Sequence, residues 1–540
     1  MVALLETPVP VDAVITPRRV YCAGIPWNPA DLTEAVEWVQ EFDGPMEIAK
    51  EERAAGEPGE PEEFLLCGHF SDGRGEARAS ISVAIARESW DYRDHTPKEL
   101  RDIILALAGT GREFWVEDRT VLERIFARTK VRLRNIRNAT AARASAPPGP
   151  ALESLGQFGT RIGPMARKRA NVEARLQSIL DWRSARGHRI DREALHDELR
   201  RAEKARAEGI EATGVDLTDS TRPEPVFRWL DKHGIAITDE RGKRKLSNDY
   251  WETAVVPEES QEAFELFMDT RNAASSRAKL TEIRDAMDSR SRVHTTFDVQ
   301  GSVTGRMTST GPALLNIAKG LRHIFVSDPG KVLVSLDLHH CEPAVMAMLS
   351  RDPALTEAVR SDPYEQLAKV IWGENAEGDK QLRGRAKPIL LADAYGRGIP
   401  SLARVVGVTE DEARELQYTM RKTYPDLASW SQKLVADAKA GRPLFTITGR
   451  QLPPPPFAYQ AVSHVVQGSA AEIFKGMVLQ TLAKLPKGDS LWLPVHDELI
   501  VEVEEEMRLS AKQKLSSNMR FEKNGVRLAG EPRILGASWA

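Results

Sequence analysis

The run from Gly330 to Ser350, GKVLVSLDLHHCEPAVMAMLS, constrains this chain most. Its apolar stretch Val332 to Leu336 has the pattern of a buried strand and stops at Asp337. A helix is expected from near Glu342, because Pro343 is tolerated in a first helical turn. An acid at the end of a buried strand, with the main-chain carbonyl of Leu338 beside it, is a good oxygen-ligand position for Mg²⁺. A hydrogen-bonded turn aspartate has the same pattern, so this run alone leaves both readings open.

A second segment narrows the choice. Leu491 to Glu504, LWLPVHDELIVEVE, reads as two apolar strands separated by His496, Asp497 and Glu498. Carboxylates from two separate strand ends can hold a pair of metal ions roughly 3.5–4 Å apart, the arrangement that stabilises attacking and departing oxygens in phosphoryl or nucleotidyl transfer. Asp337 and Asp497 are the candidates, while His496 as a packed or capping residue and Glu498 as a solvated turn acid remain open alternatives. In a third segment, QLRGRAKPILLADAYGRG, Arg383, Lys387, Leu391 and Tyr395 recur every four positions and form one slanting stripe on a helix. The stripe spans about 18 Å, enough to follow a triphosphate, its base and the neighbouring pair. Cations at one end suit phosphates, and Leu391 and Tyr395 offer faces to a base.

Composition bounds the setting. A chain of 540 residues implies several domains, and 41% hydrophobic with 29% charged residues excludes a chain disordered throughout. The net charge of -4 means that any nucleic-acid surface is local. Gly242-Lys243-Arg244-Lys245 is one such basic run; it reads as a solvated loop, or as a phosphate contact if its surroundings grip a duplex. Cys22, Cys67 and Cys341 are widely separated and form no CxxC pair, which argues against disulfide and zinc frameworks and fits a reducing cytosol. Without a leader pattern or a long apolar run, a cytoplasmic protein with no membrane anchor is expected. Helical patterns are expected over Val172 to Ala207 and Glu259 to Met287, and a linker at the Pro-rich stretch Ala144 to Ala151.

The three motifs, in this order, resemble those of the family A DNA polymerases. Asp337 and Glu342 match the start of the palm motif; Arg383, Lys387, Tyr395 and Gly396 match the fingers helix; His496, Asp497 and Glu498 match the closing motif. Thr304-Gly305-Arg306, Asn316, Arg322, Thr448-Gly449-Arg450, Gln467-Gly468 and Trp539 resemble supporting landmarks. The resemblance implies an α+β right-hand polymerase of palm, fingers and thumb, preceded by a small α/β domain. It implies primer-dependent, template-directed addition of dNTPs with two Mg²⁺ ions, for which Mn²⁺ can substitute. Asp337, Asp497 and the carbonyl of Leu338 would hold metal, with Glu498 supporting. Lys387 would contact phosphates and act as general acid, Arg383 would clamp the γ-phosphate end, and Leu391 and Tyr395 would complete the nucleotide site. Glu342, near Tyr395, would exclude a 2′-hydroxyl. Arg306, Gln467, His496, Asn316, Arg322, Lys243 and Arg244 would contact primer–template DNA. A monomer is expected, with replication or repair proteins as possible partners.

Departures from the family pattern are Leu391 in place of an aromatic residue, Pro388 within the stripe, Leu315 in place of glutamine, and His339-His340-Cys341 in place of Ser-Gln-Ile. Pro388 implies a kink unless it lies in a first turn. The alternatives are a single-subunit phage-type RNA polymerase, which normally lacks an acid at the place of Glu342, and a catalytically dead nucleic-acid-binding relic. Near the N-terminus, Asp31 to Glu52 resembles the opening of a DnaQ-like 3′-5′ exonuclease, but Ala49-Lys50-Glu51 stands where Asp-x-Glu is expected, so that domain reads as degenerate and without proofreading. The expected boundaries are 1–150 for this domain, 151–171 linker, 172–292 thumb, 293–345 palm, 346–454 fingers and 455–540 palm.

Overall fold

The computed structural model describes residues 164–216, 224–237, 254, 256–396, 398–485 and 491–540, together with seven strands between residues 20 and 138. The chain divides into two compact units. The first comprises Met1–Gly187, His294–Ser302 and Arg306–Thr310; the second comprises His188–Val293, Val303–Gly305 and Gly311–Ala540.

The first unit holds a mixed sheet of β1 (Val20–Cys22), β2 (Ile25–Trp27), β3 (Met46–Glu52), β4 (Glu63–Ser71), β5 (Arg78–Ala86), β6 (Phe114–Val116) and β7 (Ile136–Asn138), in the order β2-β1-β5-β4-β3-β6-β7. β6 runs parallel to β3 and to β7, and the other pairs are antiparallel. Ala49, Lys50 and Glu51 fall within β3. Helix α1, Pro164–Arg186, begins inside the stretch expected as linker, because MARKRANVEARLQSIL is an unbroken run of residues with no helix breaker.

In the second unit, α2 (Arg192–Thr213) and α3 (Gln261–Asp285) are long helices packed together. Asp191 caps α2 by accepting from the N–H groups of Glu193 and Ala194, and Gly214 closes it in the left-handed conformation. The helices approach so closely that a Cβ at Gly209 would lie 1.9 Å from Thr270 Oγ1.

The centre of this unit is a four-stranded antiparallel sheet, β9-β10-β8-β11, built from β8 (Lys331–Leu338), β9 (Leu491–Val495), β10 (Glu498–Glu504) and β11 (Gly530–Gly536). In β8 Val332 through Leu336 are buried and Asp337 emerges exposed, so the charge ends the apolar run at the sheet rim. Trp492 of β9 packs edge-on against Trp539, with ring centroids 5.6 Å apart, and Phe325 packs against the same ring at 5.9 Å.

Helix α4 (Cys341–Ser350) follows β8 and is buried from Pro343 to Met348. Then come α5 (Pro353–Ala358), α6 (Pro363–Trp372), α7 (Lys380–Tyr395), α8 (Pro425–Lys439) and α9 (Ala461–Leu482). α7 continues through Pro388, which sits well past its first turn; the carbonyl of Gly384 loses its usual helical donor there. No helix of the described residues is long and apolar enough to cross a membrane.

Asp352 is fully buried and serves two helices. One carboxylate oxygen accepts from Leu355 N in α5 at 2.9 Å, and the other accepts from Asp426 N and Leu427 N in α8 at 3.0 and 3.2 Å. Removing it strips both caps and leaves buried donors unpaired. Asp352→Ala is expected to destabilise the unit by about 2–4 kcal/mol, read as a lower urea midpoint for its unfolding transition.

Candidate active site

Two strand ends meet at one corner of the sheet. Asp337 lies opposite Glu498 in the β8–β10 register, and the Leu338 N–H donates to the Asp497 carbonyl at 3.2 Å. His496 takes a φ of 54°, in the left-handed region, and with Asp497 makes the two-residue turn between β9 and β10. Glu498 stands at the first position of β10 rather than in the turn.

Charge is concentrated here. Burial pushes the Glu498 carboxyl above the ordinary carboxylate range; the Ser335 hydroxyl, which donates to it, opposes that, the Asp337 charge adds to it, and Arg322 and Lys319 counter it. Arg322 Nη1 lies 3.5 Å from Glu498 Oε2, and its guanidinium sits 4.5 Å from the Trp539 ring centroid. Among the described residues no group of three or more His, Cys, Asp or Glu is arranged to hold a metal. The corner brings the main chain of Asp337 and Leu338 beside Asp497 and Glu498, so the oxygen donors available there are aspartate carboxylates and main-chain carbonyls. That hard-oxygen set suits a divalent cation, which would also relieve the crowding of negative charge around Glu498.

A second cluster joins α4 to α7. The Tyr395 hydroxyl donates to Glu342 in the first turn of α4. Arg383 Nε donates to Asp362 Oδ2 at 2.6 Å, and its guanidinium lies 5.4 Å from the Tyr364 ring centroid; Lys387 Nζ lies 5.8 Å from that ring. Asp362 also caps α6 through the N–H groups of Tyr364 and Glu365. Burial raises the Asp362 carboxyl, but the Arg383 and Glu365 hydrogen bonds and nearby positive charge outweigh it and hold the group below the usual range. Burial pushes the Tyr364 hydroxyl well up, and the negative charges around it add to the shift. Burial lowers the His340 imidazole; Asp362 opposes this, while Arg383, His339 and Lys387 reinforce it.

The expected site residues differ in their surroundings. Arg322 is engaged by Glu498 and Trp539 and is a counter-ion at the acidic corner. Leu391 is 9% exposed and packs inward. Arg383 is tied to Asp362. Lys387 is exposed, as are His496 and Asn316, the last at the end of the 3₁₀ turn Leu314–Asn316; Gln467 is half-buried on α9. Arg306 lies exposed in the first unit, with its N–H donating to Ser302 Oγ at 2.8 Å. Lys243 and Arg244 fall outside the described residues. Sequence reading overlooked Asp362 and Tyr364. The Asp-Pro pair at 362–363 is a helix-start signal that could have located the cap, but not the tertiary partner Arg383.

Comparison with solved structures identifies the fold first. The chain superposes on the POL domain of Pol1 from M. smegmatis, solved in complex with DNA primer-template and dNTP, with a TM-score of 0.72 at 18% identity, covering 95% of this chain and 98% of that one. The fold is thus that of a polymerase domain, of the palm, fingers and thumb type. The profile of DNA polymerase family A matches residues 238–540, more than half of the chain, and the protein belongs to that family. A DNA polymerase of Mycobacterium phage D29 is 25% identical over 338 residues, 60% of this chain and 55% of that protein. DNA polymerase I of Aquifex aeolicus is 27% identical over 349 residues, 62% of this chain and 60% of that protein. The chain spans little more than half the length of these relatives.

Gly530 fixes the far side of the acidic corner. It pairs with Leu338, and a Cβ there would lie 1.9 Å from the Asp337 carbonyl oxygen. A main-chain obstacle cannot rotate away. Gly530→Ala is expected to destabilise this sheet by about 1–3 kcal/mol, detected as a lowered unfolding midpoint, whereas Gly476→Ala, with no atom in the way of a Cβ, should not.

Proposed function

We propose that this protein is a template-directed, primer-dependent DNA polymerase that adds dNTPs to a DNA 3′ end. The observation that carries the reading is the convergence of Asp337 with Asp497–Glu498 at one sheet corner, five residues before Glu342, which in turn is held by Tyr395 of the cation-bearing helix. Asp337, Asp497 and the carbonyl of Leu338 would hold two Mg²⁺ ions, or Mn²⁺ in their place. When bound, such ions supply charge neutralisation at the attacking and departing oxygens.

The chain's own residues supply the rest by position. Lys387, exposed on α7, would meet the phosphates and deliver a proton to the departing pyrophosphate. Arg383 would exchange Asp362 for the outer phosphate, trading one anion for a more highly charged one. Glu342, held by Tyr395, would lie under the sugar, where its bulk and charge leave no room for a 2′-hydroxyl. His496, Gln467, Arg306 and Asn316 are the proposed DNA contacts, with His496 at the primer terminus. The thumb would comprise 172–292, the palm 293–345 and 455–540, and the fingers 346–454. Residues 1–150 would form an exonuclease-like domain without nuclease activity, since Ala49 of β3 supplies no metal ligand where the motif has Asp.

Asp337→Ala and Asp497→Ala are each expected to lower the rate of primer extension on the order of 10³-fold or more while primer–template affinity stays near that of the parent. Extension that survives both substitutions would exclude the site. Glu342→Ala is expected to reduce discrimination against rNTPs on the order of 100-fold in single-nucleotide incorporation. A parent enzyme that extends with rNTPs and not with dNTPs would instead make this an RNA polymerase.

A further inference from the structure

Two cations of α7 lie over one aromatic ring of α6. Tyr364, 6% exposed, stands in the first turn of α6, directly after Asp362 and Pro363. The Arg383 guanidinium carbon lies over its ring at 5.4 Å from the centroid and Lys387 Nζ at 5.8 Å, both inside the roughly 6 Å over which a ring face attracts a cation. The His340 imidazole packs against the same ring in a T-shaped arrangement, with centroids 5.4 Å apart and planes at 80°.

A buried tyrosine is ordinarily a packing residue, but the charges around this one argue for more. Arg383 shares Asp362, whereas among the described residues Lys387 pairs with no carboxylate. The two cations stand one turn apart on the same helix face, where like charges repel, and a single carboxylate leaves them in excess. An acid beside Lys387 would hold it but also neutralise it, and would compete with any phosphate. A ring face attracts a cation through its quadrupole and carries no net charge, so a cation over it stays available to a polyanion. Lys387 is exposed and Arg383 is half-exposed, so both groups remain open to water above a ring that is itself buried.

We propose that Tyr364 is a positioning residue whose ring orders Arg383 and Lys387 for the phosphates of a nucleoside triphosphate without neutralising them. This inference rests on the polymerase reading, in which those two cations meet the phosphates. The ring acts through the cations and touches no reacting atom. Weakening its hold should therefore raise the KM for dNTP and the inhibition constant for pyrophosphate together, because the two ligands share only the phosphate end. The rate at saturating nucleotide should change little, as expected where ground state and transition state lose the same contact.

The test replaces Tyr364 in the full chain by phenylalanine and by phenylalanines bearing successively more ring fluorines, which drain negative charge from the ring face at nearly constant shape. On a primed template, Tyr364→Phe keeps the ring and is expected to keep the affinity for dNTP and for inorganic pyrophosphate. Along the fluorinated series both constants should rise in step, to on the order of tenfold at full fluorination, while kcat stays near that of the parent. Tyr364→Leu, which removes the ring, should match the end of the series. Constants that stay flat along the series while primers are still extended would show a ring that only packs, and the proposal fails with the polymerase reading intact. A rise for dNTP without one for pyrophosphate also overturns it, since the effect would then lie away from the phosphates. A parent that extends no primer with dNTPs overturns both readings.

Discussion

Seven consecutive pairs, from Lys331 opposite Glu504 to Asp337 opposite Glu498, lock β8 to β10 and bring together acids about 160 positions apart in the chain. Both faces of β8 are buried over Val332–Leu336, so the usual penalty for a one-residue slip, an apolar face turned to water, does little to fix this register. The Leu338 N–H bond to the Asp497 carbonyl ties the end of β8 to the turn, and two features fix the strands on either side. The two-residue turn at His496–Asp497 sets where β10 begins, and Gly530 on the opposite neighbour is the one residue type that lets β11 approach the Asp337 carbonyl. A slip between β8 and β10 would separate Asp337 from the turn that carries Asp497.

Bringing carboxylates together in a partly buried corner is unfavourable, and the fold offsets it with Arg322. That residue is half-buried between Glu498 and Trp539, and Trp539 in turn packs on Trp492 and Phe325, so the counter-ion rests on the aromatic core of the sheet. The ion pair on α7 is of another kind. Arg383 is 41% exposed and Asp362 22%, a setting in which such pairs contribute little net stability. A weak, solvent-screened pair keeps the guanidinium ordered without holding it against a more highly charged competitor. One cation is therefore built against the core, and the other is only lightly restrained at the surface of α7.

Local patterns were readable wherever one residue's neighbours in sequence decide its environment. The apolar run ending at Asp337, the first-turn Pro343 and the paired strands around His496–Asp497 each follow from burial periodicity and turn chemistry, and the structure has strands and helix at those places. The burial of Leu391 was not legible because four-residue spacing identifies a stripe but not which part of it other helices cover. The ion pairs of Arg322 and Arg383 could not be read, because their partners, Glu498 and Asp362, are 176 and 21 positions away and no spacing rule couples them. The helix starting at Pro164 was missed for the opposite reason: the proline-rich punctuation before it was allowed to extend too far.

The Thr304–Gly305 main chain shows how a motif can be recognised before its physical reason is visible. Lys475, 1% exposed on α9, donates to the Gly305 carbonyl at 2.7 Å, and Arg450 Nη2 donates to the Thr304 carbonyl at 2.6 Å. Arg450 is itself paired with Glu472 at 3.0 Å. A Cβ on Gly305 would lie 2.3 Å from the Arg450 guanidinium, and its φ of 78° also disfavours any other residue. Buried cations persist only when acceptors satisfy them. Here main-chain carbonyls perform that role, so the Thr-Gly pair and the Thr-Gly-Arg at 448–450 are two halves of one hydrogen-bonded joint. A side chain in place of Gly305 would drive its Cβ into the Arg450 guanidinium, and loss of Arg450 would take that donor from the Thr304 carbonyl, so each half of the joint constrains the other.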